Sequence, residues 1–355
     1  MPDTLMQNSD IPALVILTKL HRLEGLLHKS LPNNVPSEIE QCYTDNKLKQ
    51  LKFTGELVRL DGLFKSDNLE FLSFKGPALS QQLYGDPTER SGRDIDLLIR
   101  LKDVKSALEL MKIEGYKLTI KFATPKQFST ILEYYHHFEF YHPEKDLTVE
   151  IHWRISSHNN FLPSDIIWSN HNVISIAGKE INVLSPLHEA LFLCVHGAKH
   201  CYFRLHWVAD IYHHLITKDH AFINELVALS KKENLLTPVM ATFQLLVQLY
   251  PELEEELGFP NEISKRSSKL AEICIEQIVL NTSLTKFEDR KSRITRMRLH
   301  HKVNYLFGGV SGWFKGVIQR NVRPKNWETF AFPDSVFFLN HFFSRIIWLF
   351  TPRTK

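Results

Sequence analysis

Two aspartates stand in a segment that otherwise has the composition of a buried strand. The sequence RDIDLLIR, residues 93–100, places Asp94 and Asp96 two positions apart among isoleucines and leucines. Alternate residues of a strand project from the same face, so both carboxylates should point the same way. Their repulsion is removed when one is protonated or when both bind a shared divalent cation. The segment therefore predicts a cation-binding strand, with two solvated acids on a surface strand as the alternative.

A third carboxylate stands in a comparable setting. Glu150 lies within LTVEIHW, residues 147–153, among apolar neighbours where an unused acid would be costly. Carboxylate oxygens on rigid strands suit Mg²⁺, which takes phosphate oxygens as further ligands. Two such ions activate an attacking oxygen and stabilise a leaving one. We therefore expect Asp94, Asp96 and Glu150 to be catalytic and to bind two Mg²⁺ ions, with Mn²⁺ as an alternative metal.

The apolar pattern changes twice along the chain. Helical spacing of leucines marks residues 11–30 and about 36–64, and helical spacing returns after about Ser185. Between these segments, strand-like runs alternate with helix-like runs that end at glycine. We predict an α+β fold, in which a small mixed-sheet core is flanked by an N-terminal helical segment and a helical C-terminal domain. The predicted divisions are residues 1–65, 66–184 and 185–355.

A second element suited to nucleotides precedes the aspartates. The segment FKGPAL, residues 74–79, joins a predicted strand to a predicted helix. The N-terminus of a helix presents backbone N–H groups that favour phosphate. Lys75 and Gly76 are therefore candidate nucleotide-binding residues, and Arg90 would add positive charge near them. Alternatively, Lys75 and Arg90 are solvated surface residues. For Arg93 we expect a solvated surface position.

Together these residues resemble a known family. The order of strand, lysine-glycine, helix, paired aspartates and a distant acid is similar to the DNA polymerase beta-type nucleotidyltransferase superfamily. More closely, residues 74–99 with VEIHW resemble the bacterial family of uncharacterised nucleotidyltransferases. The positions that carry the resemblance are Lys75, Gly76, Tyr84, Arg90, Gly92, Asp94, Asp96, Leu97 and Leu98. The resemblance implies a nucleotidyltransferase core and transfer of a nucleotide group.

The resemblance continues in residues 196–211 and in FPDSVFFLNHFF, residues 332–343. It implies that the first of these segments faces the cleft. Lys199 and Arg204 would then contact the triphosphate or the acceptor, and Asp210 would orient one of them, with a plain interhelical salt bridge as the alternative.

One position departs from the superfamily pattern. The usual serine after the glycine would place a hydroxyl on the triphosphate, and this chain has Pro77 there. Proline offers neither a hydroxyl nor an N–H group. Phosphate binding would then fall to other N–H groups or to basic side chains.

Composition limits the partners and the location. The 43 basic and 40 acidic residues leave a formal net charge of +3, too small to indicate bulk nucleic-acid binding. The four cysteines form no C-x-x-C pair, and residues 1–10 show no signal-peptide pattern, which favours a cytoplasmic protein. The apolar residues 335–350 are few for a membrane span, so we expect no stable membrane insertion. Packing onto the body is favoured over an interfacial helix.

The predicted activity is Mg²⁺-dependent transfer of a nucleoside monophosphate from a nucleoside triphosphate, ATP by default, to an acceptor hydroxyl, with release of pyrophosphate. The acceptor stays open among small molecules, peptides, proteins and RNA, as does the oligomeric state. One alternative is a catalytically weak protein of the same fold that serves as a binding or regulatory component of a toxin–antitoxin or biosynthetic system, which Pro77 favours. Another is a zinc hydrolase built on His188, His196 and His200.

Overall fold

The computed structural model describes residues 10–31, 35–155, 164–260, 262–282 and 290–350. Within these ranges the strands are β1 (Leu72–Ser73), β2 (Ile95–Leu98), β3 (Lys117–Leu118), β4 (His137–His142), β5 (Leu147–His152), β6 (His171–Ile176) and β7 (Lys179–Leu184). The α-helices are α1 (Ile11–His21), α2 (Glu24–Ser30), α3 (Ser37–Ser66), α4 (Gly76–Tyr84), α5 (Val104–Ile113), α6 (Pro125–Tyr134), α7 (Ser164–Ser169), α8 (Pro186–Lys199), α9 (Leu205–Leu215), α10 (His220–Lys232), α11 (Leu236–Leu249), α12 (Leu253–Leu257), α13 (Lys265–Thr282), α14 (Arg290–Asn321), α15 (Pro324–Thr329) and α16 (Leu339–Phe350).

The described strands include both antiparallel and parallel pairs, and helices make up most of the rest of the described chain. The α+β class with a helical C-terminal region is therefore confirmed. By its internal contacts the chain divides into two compact units. The first comprises Met1–Leu98 and Leu162–Glu288, and the second comprises Ile99–Phe161 and Asp289–Lys355. Each unit thus combines two separate stretches of sequence.

The strands of the first unit follow the order β2-β1-β7-β6. Ser73 of the short strand β1 lies opposite Leu97 of the antiparallel β2 and opposite Val183 of the parallel β7. Every residue of β2 is buried, as the apolar run predicts. β6 and β7 form a hairpin whose turn residues, Ala177 and Gly178, both have positive φ. That backbone conformation suits a two-residue hairpin turn.

Apolar helix faces build the core of the first unit. α8 begins after Ser185, whose Oγ accepts a hydrogen bond from the N–H of His188 at 3.4 Å. Residues 189–195 of this helix are all buried. The fully buried Tyr202 follows it, and its hydroxyl lies 2.9 Å from Oγ1 of Thr242 on α11. This buried polar contact satisfies both hydroxyls and ties the two helices together.

The N-terminal helices belong to the same unit. The predicted helix over residues 11–30 is two helices, because Arg22 adopts a left-handed conformation with φ of 57° and ends α1. The long α3 matches the predicted helix over 36–64 and buries one face, which includes Phe53, Leu57 and Phe64. These helices therefore pack as part of a larger core.

The strands of the second unit form an antiparallel meander in the order β3-β4-β5. Alternation along β4 and β5 separates an apolar face from a polar face. Phe138, Phe140, Val149 and Ile151 are fully buried on the first face. The polar face carries alternate residues of both strands, namely His137, Glu139, Glu150 and His152. The hairpin and its turn at residues 143–146 agree with the sequence pattern.

Helices complete the second unit. α14 is interrupted at Gly308 and Gly309, where the backbone leaves helical geometry. The last helix, α16, lies within the apolar residues 335–350, and its Phe342 and Ile346 are exposed. None of the helices within the described ranges has the length and apolar character needed to cross a membrane.

Candidate nucleotide-binding site

The first unit brings the lysine-glycine segment against β2, which carries Asp96 and directly follows Asp94. Lys75 is the N-cap residue of α4, and its Nζ lies 2.6 Å from Oδ1 of Asp96 on β2. The Asp96 side chain is 0% exposed and the Lys75 side chain is 17% exposed. A fully buried carboxylate is costly unless a cation accompanies it. The ammonium group of Lys75 supplies that positive charge.

Two glycines allow the surrounding backbone to approach closely. Gly76 has φ of +57°, and a Cβ at this position would lie 3.2 Å from the carbonyl oxygen of Asp94. A Cβ at Gly92 would lie 3.1 Å from Oε1 of Gln50. Nε2 of Gln50 donates to the carbonyl oxygen of Gly92 at 3.1 Å, which joins α3 to the loop before β2. The predicted phosphate-binding glycine therefore packs directly against the backbone of Asp94.

Arg90 lies in a buried ion pair. Its Nε donates to both carboxylate oxygens of Asp210 on α9, at 2.9 and 3.1 Å, and the hydroxyl of Tyr84 donates to the same carboxylate at 3.1 Å. Burial raises the pKa of Asp210, while Arg90 and the Tyr84 hydrogen bond oppose this rise. Three positions that carry the family resemblance thus form one buried network. In this network Asp210 orients Arg90, whereas the sequence predicted that it would orient Lys199 or Arg204.

Four basic side chains from separate elements lie close enough to influence one another's charge, and two of them, Arg22 and Lys49, also interact with the charge of Asp94. We call them the basic cluster, and they are Arg22 at the end of α1, Lys49 on α3, Arg93 before β2 and Arg204 at the N-cap of α9. The N–H of Leu205 donates to Nδ1 of His21 at 3.1 Å, which holds the start of α9 beside the end of α1. Over the residues that the structure describes, no member of the cluster forms an ion pair with a carboxylate.

The electrostatics of the basic cluster show positive charges that repel one another. Burial, followed by Arg204 and Arg93, lowers the pKa of Arg22, while Asp94 opposes this change. Burial and then Arg93 lower the pKa of Arg204. The pKa of Lys49 is lowered first by burial and then by the charges of Arg22 and Arg93. The charge of Asp94 acts in the opposite direction. Nε of Arg204 is buried and has no hydrogen-bond partner in the described part of the chain. A bound anion would relieve the repulsion and accept this hydrogen bond.

The end of α8 lies in the neighbourhood of Lys75. The pKa of His196 is lowered far below its usual value, first by burial and then by the charges of His200, Lys75 and Lys199. The rings of His196 and His200 lie 4.8 Å apart, and both pack against Trp207. Lys199 therefore shares an electrostatic environment with Lys75.

The histidines considered for zinc do not come together as a metal-binding group among the described residues. His196 and His200 pack as aromatic rings, and His188 is buried near the start of α8. Three other histidines of the second unit do bring their ring nitrogens together, namely His136, His137 and His152.

Glu150 is the functional candidate in the second unit. It lies on β5 directly opposite Glu139 of β4. One carboxylate oxygen of Glu150 lies 2.9 Å from Nε2 of His152, and the other lies 3.6 Å from Nε2 of His137. The side chain of Glu150 is 14% exposed. The predicted third acid is therefore mid-strand and partly buried, and it contacts two histidines.

The chain was compared with known families. A family described as "Uncharacterised nucleotidyltransferase" has a model that matches residues 7–251, which is more than two thirds of the chain. The chain belongs to this family.

Membership of the uncharacterised nucleotidyltransferase family confirms the resemblance seen in the sequence. The match includes the helices before β1 and ends just after α11. Residues 332–343, which also resemble the group, lie beyond it. The basic cluster, with Arg22 and Lys49 from the N-terminal helices, lies entirely within the matched residues.

Two further comparisons were made. Among solved structures, an antigenic nucleotidyltransferase-like protein from Paracoccidioides brasiliensis is similar, with 16% identity and a TM-score of 0.38 over 58% of this chain and 92% of that one. None of the curated proteins matches the chain.

The sequence did not predict two residues of the basic cluster. Arg22 and Lys49 lie far from the motif in sequence and have no local pattern of their own. Arg93 is exposed, as expected, yet it contributes charge to the basic cluster. Arg22 and Lys49 both fall inside predicted helices, so only the packing of those helices brings them to the site.

Proposed function

We propose that the chain is a Mg²⁺-dependent nucleotidyltransferase that transfers a nucleoside monophosphate from a nucleoside triphosphate, ATP by default, to an acceptor hydroxyl, releasing pyrophosphate. The observation that carries this proposal is the combination, within the first unit, of a buried aspartate on β2 with four clustered cations, two of which interact with the charge of the nearby Asp94. Acids suit a divalent metal and the cations suit a triphosphate. Family membership adds independent support for the reaction class.

The proposed metal ligands are Asp94, Asp96 and Glu150. All three supply carboxylate oxygens, the ligand type that Mg²⁺ prefers. Bound Mg²⁺ would neutralise phosphate charge and activate the acceptor oxygen. Lys75 provides a positive charge to Asp96 at 2.6 Å, and this ion pair supports the proposal that the buried carboxylate is charged. Lys75 would turn towards a phosphate oxygen once Asp96 binds metal.

Glu150 is included as the third acid of the sequence pattern, and in the second unit it lies mid-strand on β5 with a side chain that is 14% exposed. Glu150 would accept the proton of the acceptor hydroxyl as general base.

The basic cluster is the proposed triphosphate site, together with Lys75, Gly76 and Lys199. Arg204 brings a buried N–H donor that makes no hydrogen bond within the described residues. Arginine hydrogen-bonds phosphate in a fixed fork geometry, so several arginines can hold a triphosphate without a serine hydroxyl. Arg90, which the sequence suggested as a direct contact, would instead position α9 and thereby Arg204 through its pair with Asp210.

A second candidate function is a catalytically weak member that binds nucleotide as a regulatory component of a toxin–antitoxin or biosynthetic system. Pro77 favours it, since it is buried at the start of α4 where a serine hydroxyl would otherwise be available. A cytoplasmic location is proposed with either function. The four cysteines lie within the described residues, where all four are free and buried, as in a reducing compartment.

The test is transfer of label from α-³²P nucleotides to components of a cell extract, with Mg²⁺ present. We expect a labelled product with the wild-type protein and none with Asp94→Asn, Asp96→Asn or Glu150→Gln. Asp67→Asn changes an exposed acid of the first unit and should leave the labelling intact. Labelling that persists in all three site variants would contradict the proposal. Nucleotide binding without any labelled product would favour the regulatory candidate.

A binding measurement tests the basic cluster separately. Arg204→Met should weaken Mg-nucleotide binding by about 10–100-fold, since a hydrogen bond to a charged group contributes roughly 1.5–3 kcal/mol. Arg266→Met, an exposed arginine of the same unit, is the matched control and should bind as the wild type does. Equal affinities of the two variants would place the triphosphate elsewhere.

A further inference from the structure

Three histidines meet at the open end of the β4–β5 hairpin. His137 begins β4, and His152 at the end of β5 is its direct partner across the two strands. His136 precedes the strand, and its ring centroid lies 4.4 Å from that of His137 and 5.5 Å from that of His152. The rings of His137 and His152 are 4.9 Å apart. The hairpin thus gathers three imidazoles that the proposed transfer reaction does not require as ligands.

We propose that His136, His137 and His152 bind one divalent transition-metal ion of the Zn²⁺ type. Each histidine offers one ring nitrogen, and these atoms lie within 4.8 Å of one another. A tetrahedral ion with Zn–N bonds of about 2.0–2.1 Å holds its ligand atoms about 3.4 Å apart. The nitrogens therefore need to approach by at most about 1.4 Å, which small rotations of the rings provide.

The chemistry of the donors selects the type of metal. Imidazole nitrogen suits zinc and its transition-metal neighbours, whereas Mg²⁺ prefers oxygen. Glu150 adds one oxygen donor, because its carboxylate lies 2.9 Å from Nε2 of His152 and 3.6 Å from Nε2 of His137. Three imidazoles and one carboxylate complete a four-coordinate set within a single hairpin.

Charge on the polar face of the hairpin also favours a bound cation. Glu150 and Glu139 are direct cross-strand partners. Like charges in that position destabilise a sheet. A divalent ion held by the neighbouring histidines would offset this repulsion. His152 is 2% exposed at its side chain and His137 is 24% exposed, so the site combines a dry interior with access from solvent.

This inference goes beyond the proposed transferase reaction. The two share Glu150, which would hold the ion through one carboxylate oxygen and keep the other for the transfer reaction. The imidazole site itself needs no nucleotide and no Mg²⁺. Its occupancy can therefore be measured on the resting protein.

The experiment uses untagged, full-length protein stripped of metal and titrated with Zn²⁺, and in parallel with Co²⁺, without nucleotide. We expect one ion per chain and the intense visible absorption of four-coordinate Co²⁺. His137→Gln and His136→Gln should each weaken Zn²⁺ binding by more than about tenfold. His171→Gln, an exposed histidine at the start of β6 in the first unit, is the matched control and should bind as tightly as the wild type.

The result is decisive in either direction. Absence of stoichiometric Zn²⁺ binding, or equal affinity in both hairpin variants and the wild type, would overturn the proposal. Circular dichroism establishes that each variant is folded, and His136→Gln carries the test if His137→Gln fails to fold, because His136 lies outside the strand. Asp94→Asn should abolish nucleotidyl transfer and keep Zn²⁺ affinity. Failure of the transferase proposal would therefore be visible separately from failure of the metal site.

Discussion

Replacing Arg90 with methionine should destabilise the first unit substantially. The exposed fractions of the Arg90 and Asp210 side chains are 7% and 0%, so the substitution leaves a buried carboxylate without its cation. Removing one member of a buried ion pair costs about 3–5 kcal/mol. In a unit of this size, each kcal/mol lowers the melting temperature by about 2–4 °C, so the expected decrease is about 6–20 °C.

A double variant separates this structural role from nucleotide binding. Arg90→Met/Asp210→Leu removes both charges, and well-packed apolar replacements of a buried pair are often neutral in stability. Most of the lost free energy of unfolding should return, less about 1 kcal/mol for the hydrogen bond that Tyr84 loses. Urea unfolding followed by far-ultraviolet circular dichroism measures these differences, with separate transitions fitted if the two units unfold independently.

The pH dependence of the free energy of unfolding tests the same prediction. Burial raises the pKa of Asp210 in the wild type, and Arg90 is the group that most opposes the rise. Without Arg90 the folded-state pKa rises further above its unfolded value, so the folded variant binds a proton more readily than the unfolded chain. The free energy of unfolding of Arg90→Met relative to wild type should therefore recover as pH falls from about 8 to about 5. A penalty below about 1 kcal/mol at neutral pH, or one that grows on acidification, would refute the reasoning.

Three further substitutions test the packing and the phosphate site. Gly76→Ala places a side chain at φ of +57° and 3.2 Å from the carbonyl oxygen of Asp94, so urea unfolding should show a loss of about 1–2 kcal/mol. Gly197→Ala puts a Cβ 2.2 Å from the ring of the fully buried Tyr202 and should lower the free energy of unfolding by about 1–3 kcal/mol. Wild-type stability in either glycine variant would contradict these contacts. Pro77→Ser restores the superfamily serine, and calorimetry should show nucleotide affinity changed by less than about twofold. A tenfold gain would instead place the phosphate at the start of α4.

Local patterns predicted those elements whose ends are determined by their own residues. α4 ends at Gly85 in the left-handed conformation, as its glycine indicated. The β4–β5 hairpin follows from alternating apolar residues on both sides of a polar turn. The β6–β7 hairpin lacks the asparagine-glycine or aspartate-glycine signal, because its turn uses Ala177 and Gly178. α6 likewise starts at Pro125 after a Thr124 cap, a short signal that the surrounding strand-like residues obscured.

The site was predictable only where its residues share a motif. Asp96 lies on β2 and Asp94 comes directly before that strand, so one short segment of sequence was enough to identify both acids. Arg22 enters the basic cluster because α1 ends there and α9 begins beside it, a contact that depends on tertiary packing. The assignment of Arg90 to a phosphate rested on its charge, whereas its burial depends on an acid 120 positions later in the chain. Charge in a sequence identifies a candidate but not its partner.

The replacement of the superfamily serine by Pro77 agrees with the arrangement of the basic cluster. A serine at the start of α4 would contribute one neutral hydrogen bond, worth about 1 kcal/mol. Arg204 alone can contribute roughly 1.5–3 kcal/mol through a charged hydrogen bond, and its buried Nε has no partner in the described residues. Burial, and after it repulsion within the cluster, lowers the pKa values of Arg22, Lys49 and Arg204, and this repulsion is a cost that the folded protein bears while no anion is bound. A bound triphosphate would remove that cost, so the proposed site has less need of a serine hydroxyl at position 77.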